Sequence, residues 1–264
     1  MLRYVAVFGC VCALLAVETP AKSLSAKALR SARGFSWISD RSENFDYFFE
    51  AGTPAARDIE KIKERMEASR ARVEKLLGTV PGPRIPAFIV DSRARMKELA
   101  GFETNGLATG SVSLMVYNDT INAVGAHEMC HVRAYMLWGK SHGTWVNEGL
   151  AVYSDDQWWG VPLHAVARGQ LDRGKLIPLK DLVAEGWHKK YPDLDTYPEL
   201  GSFVKFVYEK YGLPAVRTLW QHGASGAGAA FGKPLSEVEA EWRLELARIE
   251  PGFPRYKILG GSLL

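Results

Sequence analysis

The sequence predicts an α+β protein of one domain, with a mixed sheet and its helices in the N-terminal half and helices alone after it. Two patterns predict this. Between residues 44 and 117, short aromatic and β-branched runs alternate with stretches of helical periodicity. Beyond residue 140, apolar residues recur at threes and fours almost throughout. A third observation sets the domain count. The chain has 264 residues, 47% of them hydrophobic, and neither an internal repeat nor a second-domain linker interrupts it. The expected organisation is a leader over residues 1–22 and one domain over 23–264, with an N-terminal lobe of about 35–139 and a helical lobe of about 140–250.

The leader has the composition of an export signal. Arg3 supplies a short positive region, and residues 4–17 form an apolar run too short for a comfortable membrane span. Small residues follow, with cleavage expected near Ala21 or Ser23; an uncleaved anchor is the rival reading. The expected location is therefore outside the cytoplasm, periplasmic or secreted. Cys10 and Cys12 fall within the leader, so Cys130 becomes the sole cysteine and no intramolecular disulfide can form. The formal net charge of +3, without a basic run, gives no reason to expect a nucleic-acid partner.

After the leader, residues 44–50 read as an aromatic-rich strand. Thr53 and Pro54 open a helix along which Ile59, Ile62, Met66, Val73 and Leu77 make the apolar stripe, with Gly78 as its left-handed end. Residues 85–90 form the next strand and 92–100 a short helix. Residues 104–108 either shape a rim of a cleft or make a plain hairpin connection. Residues 111–117 alternate as a half-buried strand should. Trp158 and Trp159 read as core residues, with a substrate subsite as the alternative. Residues 176–183 make a connection, and a helix starts at Pro198, ends at Gly212 and is followed by another from Pro214. Residues 223–228 are glycine-rich and read as a flexible loop. A capping box over residues 236–239 opens a last helix that buries Val238, Trp242 and Leu246.

The chemistry concentrates in Ala126-His127-Glu128-Met129-Cys130-His131-Val132. On a helix, side chains four residues apart stand on one face, so His127 and His131 can hold one metal ion. Glu128 points to the side of that pair, where a carboxylate can take a proton from a water the metal activates. Cys130, between the histidines, reads as a buried and unreactive thiol. Two imidazoles leave a divalent ion short of ligands. Glu148, seventeen positions after His131 in Trp145-Val146-Asn147-Glu148-Gly149-Leu150-Ala151, is the candidate for the third. A carboxylate in so apolar a stretch is costly to bury without a positive partner. The plainer alternative is a solvated glutamate in the first turn of a helix beginning near Asn147.

The two motifs together resemble those of the gluzincin metallopeptidases, in particular the small peptidase MA-like group related to the M1 aminopeptidases. The resemblance covers the middle of the chain strongly and residues 197–212 more loosely. It implies a zincin-like fold, zinc held by His127, His131 and Glu148, Glu128 as general base, and a peptide or protein substrate. It also implies an edge strand beside the metal, for which residues 111–117 are the candidate. Two departures stand out. Val152 occupies the position where some gluzincins carry an aspartate bracing a histidine, so Asp155 or Asp156 is expected to serve instead. No Gly-x-Met-Glu-Asn motif is present. Other zinc arrangements fit worse: a metzincin would need histidine at Leu137, and an aspzincin would need aspartate at Asn147.

The expected activity is zinc-dependent hydrolysis of peptide bonds, with Tyr197 or His142 supplying a donor to the oxyanion. His142 lies in a Lys-Ser-His-Gly turn and is expected to be exposed or to face substrate. The alternative from a different class is a peptide-binding or scaffold protein that keeps the fold without turnover.

Overall fold

The computed structural model describes residues 24–78 and 82–254. The leader expected over residues 1–22, with its cleavage site, lies outside the described residues. No described helix is long and apolar enough to cross a membrane.

The N-terminal half comprises strands β1 (Trp37–Arg41), β2 (Phe45–Glu50), β3 (Ile85–Val90), β4 (Gly106–Thr109) and β5 (Val112–Val116). Its helices are α1 (Ala26–Arg30), α2 (Pro54–Arg57), α3 (Ile59–Leu77) and α4 (Arg93–Ala100). The strands form one mixed sheet in the order β1-β2-β3-β5-β4. The central three are mutually parallel, and β1 and β4 close the two edges in antiparallel register. Two-residue alternation sends side chains to two cores. Phe45, Tyr47, Phe49, Ile85, Ala87 and Ile89 belong to the larger one, which contains α3 and the helices that follow the sheet. Phe48, Phe88, Val90, Leu114 and Val116 belong to the smaller one, with Leu29 of α1 and Met96 and Leu99 of α4. Parallel strands covered on both faces are therefore apolar almost throughout.

The C-terminal half comprises α5 (Ala126–Trp138), α6 (Thr144–Asp155), a hairpin of β6 (Gln157–Trp158) and β7 (Val161–Pro162), then α7 (Leu163–Asp172), α8 (Leu179–Leu182), α9 (Trp187–Lys190), α10 (Asp193–His222), α11 (Ala227–Phe231) and α12 (Leu235–Leu246). Helix α10 packs along α6 at close range. A Cβ on Gly149 of α6 would stand 2.6 Å from Val204 Cγ2 and 2.8 Å from the Leu200 carbonyl oxygen. One on Gly201 of α10 would stand 2.5 Å from Val152 Cγ1. Only glycine fits at either position without a shift, so the pair sets the distance between the two helices.

Several expectations need correcting. The helix expected from Thr53 is two: Thr53 Oγ1 accepts from the Ala56 N–H and caps α2, and a break at Asp58 separates it from α3. Residues 104–108 contribute to β4, joined to β5 as a hairpin, so the free sheet edge is β4 and not residues 111–117. Helix α10 begins at Asp193, after Pro192, so Pro198 sits inside the helix instead of opening it; proline's preference for a first turn misled the reading. Gly212, at φ 80° and ψ 173°, breaks α10 where an end was expected. The 223–228 stretch is a 3₁₀ turn (Gly223–Gly226) running into α11. Helix α12 starts at Leu235 after Pro234, without a side-chain cap from Ser236, but it does bury Val238, Trp242 and Leu246. Trp158 packs against the core only partly, and Trp159 is 48% exposed.

One buried group makes stability depend on pH. Glu199 of α10 is fully enclosed; its Oε2 accepts from the Ile177 N–H at 3.0 Å and its Oε1 has no hydrogen-bond partner. Burial pushes its carboxyl up to about 9 from an ordinary 4.5. The unfolded chain gives up this proton near pH 4.5 and the folded one holds it to about 9, so the contribution is full below 4.5 and is lost as pH rises to 9. Glu199→Gln, neutral throughout, should flatten the fall in stability between pH 5 and 9. Urea unfolding at several pH values checks this; identical pH profiles for both proteins would show that Glu199 is ionised in the fold.

Candidate metal centre

Helix α5 is enclosed by α3, α6 and the sheet, and the run from Glu128 to Ala134 is buried. A helix buried on all sides must hold its polar groups with partners from inside the protein. Its first two turns carry His127, Glu128 and His131. The next helix, α6, begins at Thr144, three positions before Asn147, so Glu148 lies in its second turn and not its first. The α5–α6 contact brings that carboxylate over the two imidazoles.

Three atoms meet there. His127 Nε2 and His131 Nε2 are 3.2 Å apart, and Glu148 Oε2 is 3.4 Å from the first and 3.5 Å from the second. Ligands bonded to zinc at 2.0–2.2 Å in tetrahedral arrangement are separated by roughly 3.3–3.6 Å, so the donor set fits such an ion. Its protonation fits as well. His131 Nδ1 stands 2.9 Å from Asn147 Oδ1, an acceptor, which leaves the proton on Nδ1 and a lone pair on Nε2. Glu148 is 2% exposed, and neither of its oxygens has a hydrogen-bond donor of ordinary geometry. Burial alone would raise its carboxyl, but a proton on the imidazoles beside it outweighs that by attraction and bonding and holds it at about 2; a metal ion would take the place of that positive charge. A carboxylate and imidazole lone pairs, converging in a place closed to water, could hold a metal ion; among the described residues this is the one such cluster.

The brace on His131 comes from neither Asp155 nor Asp156. Asn147, which adjoins the ligand candidate in sequence, holds His131. Asp155 Oδ1 accepts from the Ala126 N–H at 3.3 Å and lies 3.7 Å from Arg72, so it secures the start of α5. Asp156 pairs with Lys205 at 2.6 Å. Two helical turns, about 10 Å, separate Asp155 from Glu148, so it meets α5 at Ala126 and not at His131. Cys130 is buried with Sγ 3.7 Å from the Leu150 carbonyl oxygen, and burial raises its thiol, as expected of an inert core group.

The surroundings define how the cluster is approached. Glu128 is buried, and edge strand β4 passes directly against it. A Cβ on Gly106 would lie 2.2 Å from Glu128 Oε1, so this glycine gives the carboxylate its room. Tyr197, one turn into α10, is buried, with its ring stacked 6.3 Å from that of His127. Trp158 stacks on Tyr197 at 6.1 Å, and Trp187 meets it edge-on at 5.9 Å. His142 is exposed and sits elsewhere: its N–H donates to the Trp220 carbonyl, and its ring stands against Gly223. Asn147 and Gly106 were the functional positions missed in the sequence. The first was visible inside the Glu148 motif, whereas nothing local signals the second.

No family profile matches the sequence, and no curated protein does. Among solved structures, the chain is similar to a mutant M1 zinc metallopeptidase from Deinococcus radiodurans bound to a Tyr-Ser-Ala substrate, with 16% identity and a TM-score of 0.48, over 83% of this chain and 53% of that one. The unmutated enzyme is matched at 18% identity and a TM-score of 0.42, over 83% and 53%. An aminopeptidase N family protein from Idiomarina loihiensis is matched at 12% identity and a TM-score of 0.40, over 78% and 43%. The chain spans about half the length of these proteins.

Asn147 and Asp155 separate by experiment. Asn147→Ala should weaken zinc binding roughly 10- to 100-fold by freeing the His131 ring. Asp155→Ala should lower the melting temperature by about 2–4 °C through the start of α5 and leave affinity within about threefold. Competition titration with a chromophoric chelator reads both; a larger loss for Asp155→Ala would reverse the assignment.

Proposed function

We propose that this protein is a zinc-dependent peptidase, in which His127, His131 and Glu148 hold the ion and Glu128 is the general base. The observation that carries this is the convergence of the three donor atoms within 3.2–3.5 Å, with Glu128 on the same helical turn. Bound there, zinc supplies Lewis acidity and a water that ionises near neutral pH.

The chain's own residues account for the rest. The Glu128 carboxylate, close to the histidines and largely closed to solvent, takes the proton of the attacking water and returns it to the leaving amine. Asn147 fixes the His131 ring in the tautomer with Nε2 unprotonated. Edge strand β4, beside Glu128, offers main-chain groups to an extended peptide; such pairing orients a substrate without demanding one sequence. Of the two proposed oxyanion donors, Tyr197 is favoured by the 6.3 Å spacing of its ring from that of His127. His142 would need to move from its place beside Gly223. The leader composition supports export, and the modest net charge of +3 supports a peptide over a nucleic-acid partner.

Metal analysis together with a broad peptide-cleavage assay tests the reading. Glu128→Gln should retain zinc while turnover falls by roughly 10²–10⁴-fold, since the amide cannot accept the proton. Wild-type turnover in that variant would remove Glu128 from the mechanism, and bound zinc with no turnover of any peptide by the native protein would make it a binding module.

Gly106→Ala offers a second measure. The added methyl displaces the Glu128 carboxylate without touching the three donors, so kcat should fall while zinc affinity stays within about threefold. Unchanged kcat would show that the carboxylate need not be where it stands.

A further inference from the structure

The hairpin β6–β7 directly follows the helix that carries Glu148, and two separate costs are concentrated in it. Trp159 and Gly160 make its turn with φ 51° and 80°, the paired left-handed residues that a two-residue hairpin turn requires. Glycine adopts this conformation freely; a tryptophan does so under strain. Among the described residues the only other non-glycine with positive φ is Asp156, immediately before β6. The second cost is in Trp158. Its indole Nε1–H is closed to solvent and has no acceptor, although a phenylalanine would fill much of the same space without an orphaned donor.

Trp158 is also joined to the metal centre through the Tyr197 ring. The His127 and Tyr197 rings are 6.3 Å apart and inclined by 25°, and those of Tyr197 and Trp158 are 6.1 Å apart and inclined by 28°. Trp158 is only partly buried, and such spacings suit offset stacking of one further aromatic ring on it. We propose that Trp158 walls the subsite that receives a large apolar, preferentially aromatic, side chain of the peptide beside the cleaved bond, and that its indole N–H donates to a backbone carbonyl of that peptide. This rests on the peptidase reading above. The N–H is sealed in the free protein, so the hairpin must shift to admit the carbonyl. The strained turn lowers the cost of that shift, because relief of the left-handed Trp159 offsets part of what the rest of the hairpin loses.

The test uses the zinc-loaded Glu128→Gln protein, which binds peptide without consuming it. Matched hexapeptides carrying Phe, Ala or Lys on either side of the cleavage position are titrated by calorimetry. The Phe peptide should bind at least about tenfold more tightly than the Ala or Lys peptide. Adding Trp158→Ala should abolish that preference. Adding Trp158→Phe should keep the preference but weaken every peptide by roughly three- to tenfold, the loss of one hydrogen bond. Zinc affinity, measured alongside, should be the same in all three proteins. Peptide binding without a preference for Phe, or a preference that survives Trp158→Ala, overturns the subsite while leaving the peptidase reading intact. Failure to bind zinc and any peptide overturns both.

Discussion

A carboxylate closed off from water between two imidazole nitrogens is the constraint on which this structure turns. Glu148 is costly to bury, and a positive charge shared with the neighbouring histidines, a proton or a metal ion, is what makes that burial tolerable. To bring it there, α6 must lie against α5 with its second turn over the first turns of its neighbour. To keep it there, α10 must press on the back of α6, which the glycine contacts at Gly149 and Gly201 permit. The sheet in turn backs α5 through the larger of the two cores. The apolar packing and the one expensive polar cluster are thus a single arrangement, and a change in either is felt in the other.

The parts of this that were legible in the sequence are those where local pattern and global fold agree. The parallel strands at residues 44–50 and 85–90 were legible as apolar and aromatic runs; residues 111–117 read as a half-buried strand by their alternation, but β5 is buried throughout because both faces of the sheet are covered. His127 and His131 were legible because i, i+4 spacing has one geometric consequence on a helix. Glu148 was legible as an acid in an apolar run. The errors fall where a local signal was outvoted. Pro198 looked like a helix start, but Pro192 and the acidic turn after it open α10 earlier. Ser236 looked like a cap, but Pro234 already directs the chain into α12. Asp155 reads as a brace for a histidine because it is acidic, yet Asn147 holds His131 and Asp155 accepts from the Ala126 N–H instead.

What the sequence could not show is contact between segments distant along the chain. Gly106 lies in a stretch that reads equally as a cleft rim or a plain hairpin until α5 places Glu128 against it. Trp158 and Trp159 are two aromatics in a helical region until the hairpin separates them, one turned toward Tyr197 and the other left 48% exposed. Asn147 is an intermediate case. It was in view beside Glu148, but its partner His131 lies sixteen positions earlier and across a helix–helix contact.

The position of β4 at the rim of the sheet has a consequence for the protein's behaviour in concentrated solution. A strand whose outer main-chain groups are open to an extended peptide is equally open to the same strand of another copy, the usual seed of edge-to-edge aggregation. Here the strand is four residues long, Gly106–Thr109, and opens on a glycine with little tendency to extend a ladder. Brevity of that kind limits how much a second molecule gains by pairing, while an extended peptide of the kind proposed above, anchored elsewhere in the site, would lose nothing by it.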